Sequence, residues 1–373
     1  MRSFPALALA SVLLLALGCD ADSPPSGSGS GPPPPDPSVP SPPSGTVFDA
    51  AVDRPGEWIF VPTAGALCRD GSPTGLGFRY EVGAQDLLLL LGGGGVCFDA
   101  RTCSNNRASY DENDFEATMK RLGEAGILSR AATNPVAGWN TAFVPYCTGD
   151  LHGGTISDVR VDGVPSVQQF VGHRNVELYL DQLEPFVLTP RRVLVAGGSA
   201  GGYGTLLAFD DVARRFPNSE LFLLNDSGPF FFDDAVFSPN LGTTIESLFR
   251  LSQSVPEAAL FQPDGLQTVY AHYAQTYPEA TFALASYTDD PTIRDYLAAG
   301  QPDGQITSAE YAGGVRDLSA RLPAEWHTYV AEGEGHVFIA KNGGYAGARS
   351  PNVSAWLGDL LNGRGNDVEA SAP

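Results

Sequence analysis

The chain has 373 residues, enough for one large α/β domain or two small ones, and carries 43 acidic against 22 basic side chains for a formal net charge of −21. Such a surface repels polyanions, which excludes nucleic acid as a partner. It also disfavours a highly charged anionic polymer as substrate unless a local basic patch exists.

At the N-terminus Arg2 precedes an apolar run over 6–17, which passes into Ala16-Leu17-Gly18-Cys19. This is the pattern of an export signal, 1–19, ending in a lipobox-like site whose cysteine would be lipidated. Residues 20–45 follow, almost wholly Pro, Ser and Gly from Ser23 onward. That composition cannot bury a core and behaves as a semi-rigid tether. One folded domain is expected over 46–363, with a polar tail over 364–373. The expected localisation is that of a bacterial-type lipoprotein at the cell envelope, periplasmic or on the cell surface. Its contact with the membrane would run through the lipid anchor only.

Within the folded part, strands are predicted at 87–91, 141–146, 193–196, 221–225, 281–286 and 327–331, and helices at 115–122, 175–183, 204–215, 293–297 and 353–361. Apolar β-rich runs alternating with helical patterns indicate an α/β fold, a mostly parallel sheet with helices on both faces. There is no internal repeat. The run 230–261 is rich in aromatic and aliphatic residues without a clean period, and is either a cap over a site or a packed loop. Asp303-Gly304-Gln305-Ile306 with Glu310 echoes half of a calcium loop. Ala299 and Gln301 at the earlier positions supply no carboxylate, so it is read as a turn before a helix.

Setting Cys19 aside leaves Cys68, Cys97, Cys103 and Cys147 in the mature chain. An even number in an exported protein points to disulfides. Cys97 and Cys103 are near enough to close a small loop, which leaves Cys68 to Cys147. A metal site is the competing use of four cysteines, but there is no C-x-x-C pair, and neither His152 nor His173 has ligand spacing to them.

The chemistry centres on Ser199. An apolar β-branched stretch, Arg192-Val193-Leu194-Val195, breaks into Ala196-Gly197-Gly198-Ser199-Ala200-Gly201 and continues as a helical pattern. A Gly-x-Ser-x-Gly frame between strand and helix is a nucleophile elbow, in which the serine takes a strained positive φ and exposes its hydroxyl. Beyond the strand at 327–331 comes Glu332-Gly333-Glu334-Gly335-His336, which presents His336 on a loop at the carboxyl end of the sheet, where a general base belongs. The order Ser, acid, His requires a carboxylate between the two. Asp289 follows the 281–286 strand, but Asp290 is adjacent and Asp226 also follows a strand, so the residues alone leave all three open. The stretch Leu87 to Leu91 runs into Gly92-Gly93-Gly94-Gly95, bare backbone whose N–H groups can converge on an oxyanion, with the N–H of Ala200 as the further donor.

These segments resemble the pectin acetylesterase and Notum carboxylesterase family, serine hydrolases of α/β-hydrolase type. The matching stretches are Cys68-Arg69-Asp70-Gly71-Ser72-Pro73, Gly93-Gly94-Gly95-Val96-Cys97-Phe98, Gly198-Ser199-Ala200-Gly201-Gly202, Asp226-Ser227-Gly228 and Gly335-His336. The resemblance implies Ser199 as nucleophile and His336 as base. It favours Asp289 as the acid, because the family's aspartate has an aliphatic residue four positions on, here Ile293. It implies the same disulfides, Cys97–Cys103 and Cys68–Cys147. Gly95 stands where the family usually has tryptophan, and the segment from Cys147 to Gly153 also departs from the family pattern, so the substrate wall is expected to differ. The resulting expectation is an α/β-hydrolase-like serine carboxylesterase that uses no cofactor and no metal. Gly94, Gly95 and Ala200 would hold the oxyanion, and the substrate would be a small-molecule or polysaccharide acyl ester, including O-acetyl groups. The rival is a carbohydrate-binding or adhesion lipoprotein on the same scaffold without turnover.

Overall fold

The computed structural model describes residues 43–254, 265–349 and 351–371. The export signal, Cys19 and nearly all of the tether lie outside the described residues, as does the end of the 230–261 run.

Eleven strands are present among the described residues: β1 Trp58–Leu67, β2 Pro73–Arg79, β3 Asp86–Leu91, β4 Asn140–Val144, β5 Ile156–Val159, β6 Gln168–Phe170, β7 Arg192–Gly198, β8 Glu220–Asp226, β9 Thr281–Asp289, β10 Trp326–Glu334 and β11 Val368–Ala370. Nine of them form one sheet in the order β1-β2-β4-β3-β7-β8-β9-β10-β11, while β5 and β6 pair separately. From β4 through β11 every pairing is parallel; β2 runs antiparallel to both β1 and β4.

The parallel core follows from the apolar runs. Every residue of β3 is buried, and its leucines alternate between two cores. Leu87, Leu89 and Leu91 join the cluster that holds Val193 and Val195 of β7; Leu88 and Leu90 join the other, with Leu194 and Ala196. Side chains that alternate into two separate cores require helices on both faces. The helices Gly172–Val187 and Ala200–Arg215 supply one cover through Val176, Leu180, Leu206 and Phe209. Glu112–Leu122 and Val353–Leu360 supply the other through Phe115, Trp356 and Leu357. All six predicted strands and all five predicted helices occur, with boundaries moved by a few residues.

The antiparallel edge, β1 and β2, is absent from the sequence reading. Pro62, Gly65, Gly75 and Gly77 interrupt both strands and erase the alternation that marks a strand. The polar tail also contributes structure, since β11 pairs in parallel with β10. The calcium-loop echo is a turn before a helix: Thr307 caps Ser308–Arg321 and Glu310 completes a capping box. Among the described residues no helix is long and apolar enough to cross a membrane.

Both expected disulfides are formed, Cys68–Cys147 and Cys97–Cys103, with sequence separations of 79 and 6. Loop-closure entropy gives the first about 4 kcal/mol and the second about 2. Two structural disulfides place the folded chain in an oxidising compartment.

Candidate active site

Ser199 joins β7 to the helix Ala200–Arg215 with φ 60° and ψ −125°. The turn is sharp enough that a Cβ at Gly197 would lie 2.2 Å from the carbonyl oxygen of Gly201, and one at Gly201 would lie 2.1 Å from that of Leu91. Only glycine fits at either position. The Ser199 N–H donates to the Asp226 carbonyl at 2.8 Å, tying the elbow to β8. A non-glycine residue at positive φ costs about 1–3 kcal/mol, and the packing on either side of the elbow offsets it.

His336 stands just past β10, its ring about one-quarter exposed, with Nδ1 2.8 Å from Oδ2 of Asp290. Asp290 is wholly buried. Its other oxygen, Oδ1, accepts the N–H groups of Thr292 and Ile293, each at 3.0 Å, and so caps the helix Pro291–Ala298. One carboxylate therefore starts a helix and aligns an imidazole. A carboxylate there accepts, so Nδ1 donates and Nε2 is left with its lone pair free for a proton.

The expectation for Asp289 is corrected by this geometry. Asp289 is the last residue of β9, and its carboxylate pairs with Nε of Arg294 at 2.8 Å, away from the imidazole. Neighbouring residues of an extended chain point to opposite sides, so a shift of one position exchanges the two partners. The sequence does mark Asp290-Pro291 as an N-cap aspartate followed by proline at the first helical position, which places the helix start but does not name the partner of His336.

Asp226 is placed differently again. Its buried Oδ2 accepts the N–H groups of Phe338 and Ile339 at 2.7 and 2.8 Å, and Oδ1 accepts the hydroxyl of Ser227 at 3.1 Å. It therefore fixes the backbone just after His336 and does not touch the ring. Burial pushes its carboxyl up to about 7, opposed by the N–H donors. Ser227 also accepts the N–H of Val337 at 3.2 Å, and the stacked rings of Tyr287 and Phe338, 4.0 Å apart, brace the same loop.

The glycine loop after β3 is held by its carbonyl groups. His152 Nε2 lies 2.8 Å from the oxygen of Gly92, and Asn106 Nδ2 donates to the oxygen of Gly94 at 2.7 Å. Among the described residues no protein acceptor faces the N–H groups of Gly94, Gly95 or Ala200. His152 is fully buried against the ring of Tyr146, and burial pulls it down to about 4, so it is neutral at physiological pH. Sequence reasoning set His152 aside as a poor metal ligand and did not single out Asn106. Neither has a local pattern: Asn106 reaches Gly94 over 12 positions and His152 reaches Gly92 over 60.

Ser199 lies between two spaces. One is a small apolar pocket with a free volume of about 50 Å³, walled by Phe230, Phe237, Leu241 and Ile245. These residues come from the 230–261 run, whose helix Pro239–Phe249 thus acts as a cap. The other is an open groove of about 600 Å³ that also carries His336.

Residues 52–312 match the Pectinacetylesterase family. The chain belongs to that family. It is 32% identical over 175 residues to the human palmitoleoyl-protein carboxylesterase NOTUM, covering 44% of this chain and 34% of the human protein. Against the Drosophila melanogaster protein of the same name it is 28% identical over 188 residues, covering 46% of this chain and 27% of that protein. The match thus spans about a third of the length of these curated relatives. In fold this family member is similar to the solved structure of the Wnt deacylase Notum from Drosophila, with a TM-score of 0.62 at 18% identity over 85% of this chain and 96% of that one.

Proposed function

We propose that this protein is a serine carboxylesterase working through Ser199, His336 and Asp290 and a covalent acyl-enzyme. The observation that carries the reading is the 2.8 Å contact between His336 and a buried carboxylate, in a groove that also exposes an elbow serine at positive φ. Ser199 Oγ attacks the ester carbonyl while His336 Nε2 takes its proton. The oxyanion is received by the N–H groups of Gly94, Gly95 and Ala200. The bond to the alcohol oxygen then breaks, and His336 returns the proton to that oxygen. Water, deprotonated by His336, attacks the acyl carbon, releases the carboxylic acid and restores the Ser199 hydroxyl.

His336 lines the groove and not the small pocket, so the alcohol half departs into the groove and the acyl half occupies the pocket. Arg107, Arg121 and Lys341 line that groove together with no Asp or Glu, in a chain of 43 acidic and 22 basic residues. Arg107 is paired with Asp114, whereas Arg121 and Lys341 face no carboxylate among the described residues. This is the local basic patch that an anionic substrate needs against the net charge of −21. The substrate favoured is therefore an O-acyl group, acetyl foremost, on an acidic polysaccharide. The long acyl chain in the printed name of the NOTUM relatives exceeds a pocket of about 50 Å³. Release of acetate from an acetylated polyuronate, faster than from an acetylated neutral glycan, tests the reading. Equal rates, or none on either, overturn it.

The proposed setting is the cell envelope, with lipid on Cys19 and 20–45 as tether, supported by the lipobox-like sequence alone. Cys19→Ser should move the protein from the membrane to the soluble fraction.

A further inference from the structure

Gly95 and Tyr296 each line both the small pocket and the larger groove, so the two residues stand where one space meets the other. They meet directly: a Cβ at Gly95, whose φ is +83°, would lie 2.2 Å from the phenol oxygen of Tyr296. The tyrosine occupies the volume in which a side chain at position 95 would begin. Its helix, Pro291–Ala298, is fixed at the start by Asp290 and at its far half by Asp295, whose carboxylate meets Arg101 Nη1 at 2.8 Å. Arg101 belongs to the loop closed by the Cys97–Cys103 disulfide, so helix and glycine loop are tied on both sides of the ring. Ile293 and Leu297 of the same helix are buried in the pocket wall.

We infer that Tyr296 is the specificity-determining residue that limits acyl length, by setting the tip of its phenol against Gly95 and separating a short acyl pocket from the groove. This rests on the esterase reading above. A pocket of about 50 Å³ takes on the order of four water-sized groups, which matches an acyl tail of acetyl to butyryl size. Removing the ring joins that pocket to about 600 Å³ of groove and gives a longer tail somewhere to go. Each methylene that a pocket seats or refuses changes kcat/KM by about 10-fold or more. The ring supplies most of the bulk, and its hydroxyl oxygen is the tip that reaches Gly95.

The test is the ratio of kcat/KM for p-nitrophenyl octanoate to that for the acetate, measured on the wild type and on Tyr296→Ala, Tyr296→Leu and Tyr296→Phe. The wild type should favour acetate. Tyr296→Ala should raise the ratio about 100-fold, Tyr296→Leu should fall between, and Tyr296→Phe, which loses only the tip, should move it least. A ratio unchanged in Tyr296→Ala and Tyr296→Leu, or a wild type that already prefers octanoate, overturns the inference. Tyr296→Leu keeps an apolar side chain on the pocket wall while removing the ring, so a misfolded alanine variant does not decide the matter. Failure of the esterase reading looks different, since the wild type would then hydrolyse no ester of the series and Ser199 would take no fluorophosphonate.

Discussion

On one side of Ser199 lies a pocket of about 50 Å³ walled by buried Phe230, Phe237, Leu241 and Ile245; on the other lies a groove of about 600 Å³ bordered by backbone glycines and by exposed Arg107, Arg121 and Lys341. On the proposed function the pocket would select by volume, because close-packed side chains on a capping helix cannot yield to an extra methylene without strain. The groove would select by charge, because long cationic side chains reach toward a ligand without enclosing it. The two halves of an ester would then be read by different physics and meet only at the reacting carbon. Asp290 is common to both sides: one oxygen aligns the imidazole that faces the groove, and the other caps the helix that walls the pocket.

Replacing the shared nucleophile should abolish what both sides do. Ser199→Ala is expected to lose about 10⁴-fold or more in kcat and all labelling by a fluorophosphonate. Label retained in the variant would move the nucleophile elsewhere.

Asp290→Asn separates the two sides next. An asparagine oxygen can still cap the helix, so the ratio of long to short acyl esters should stay put while kcat falls by about 10⁴ through loss of the imidazole tautomer. Asp289→Asn, which touches only Arg294, should stay within about 3-fold of the wild type. A collapse in Asp289→Asn with full activity in Asp290→Asn, at unchanged melting temperatures, would reverse the assignment of the acid.

The groove alone is probed by Arg121→Glu combined with Lys341→Glu. On an anionic ester kcat/KM should drop about 10-fold at low salt and recover partly with added salt, whereas a neutral acetate ester should show little of either. A loss of equal size on both substrates would show that the groove does not read charge.

The smallest effect concerns stability. Burial raises Asp226 to about 7, so the folded chain keeps a proton there that an unfolded aspartate, with a value of 3.8, gives up. Between about pH 4 and pH 7 the folded state thus binds more protons, and stability falls as pH rises through that window. Asp150, at about 6, and Asp211, at about 7, act in the same direction. Melting temperature should be about 2–5 °C higher at pH 5 than at pH 7.5, and Asp226→Asn should flatten part of that slope. A slope untouched by the substitution would assign the effect to the other two carboxylates.

The sequence by itself determined the parallel core, the elbow, the place of His336 and the cysteine pairs. Each is written in a short stretch: the leucines from Leu87 to Leu91, the small residues around Ser199, the loop after His327 to Ala331, and the near spacing of Cys97 to Cys103. Local periodicity and steric need at one turn are properties of contiguous residues, so they survive without coordinates. Tertiary structure decided the rest. Asp289 and Asp290 are equally placed after a strand, and only the direction of each side chain at the strand end sends one to His336 and the other to Arg294. The antiparallel edge of β1 and β2 exists because Phe115 and the strand partners pack against its glycines, a contact no local pattern announces. Likewise His152 and Asp226 act on loops far away in the chain, and Tyr296 meets Gly95 across about two hundred residues. Such contacts arise from the summed packing of many elements, and a volume or a wall between two spaces belongs to no single segment of the sequence.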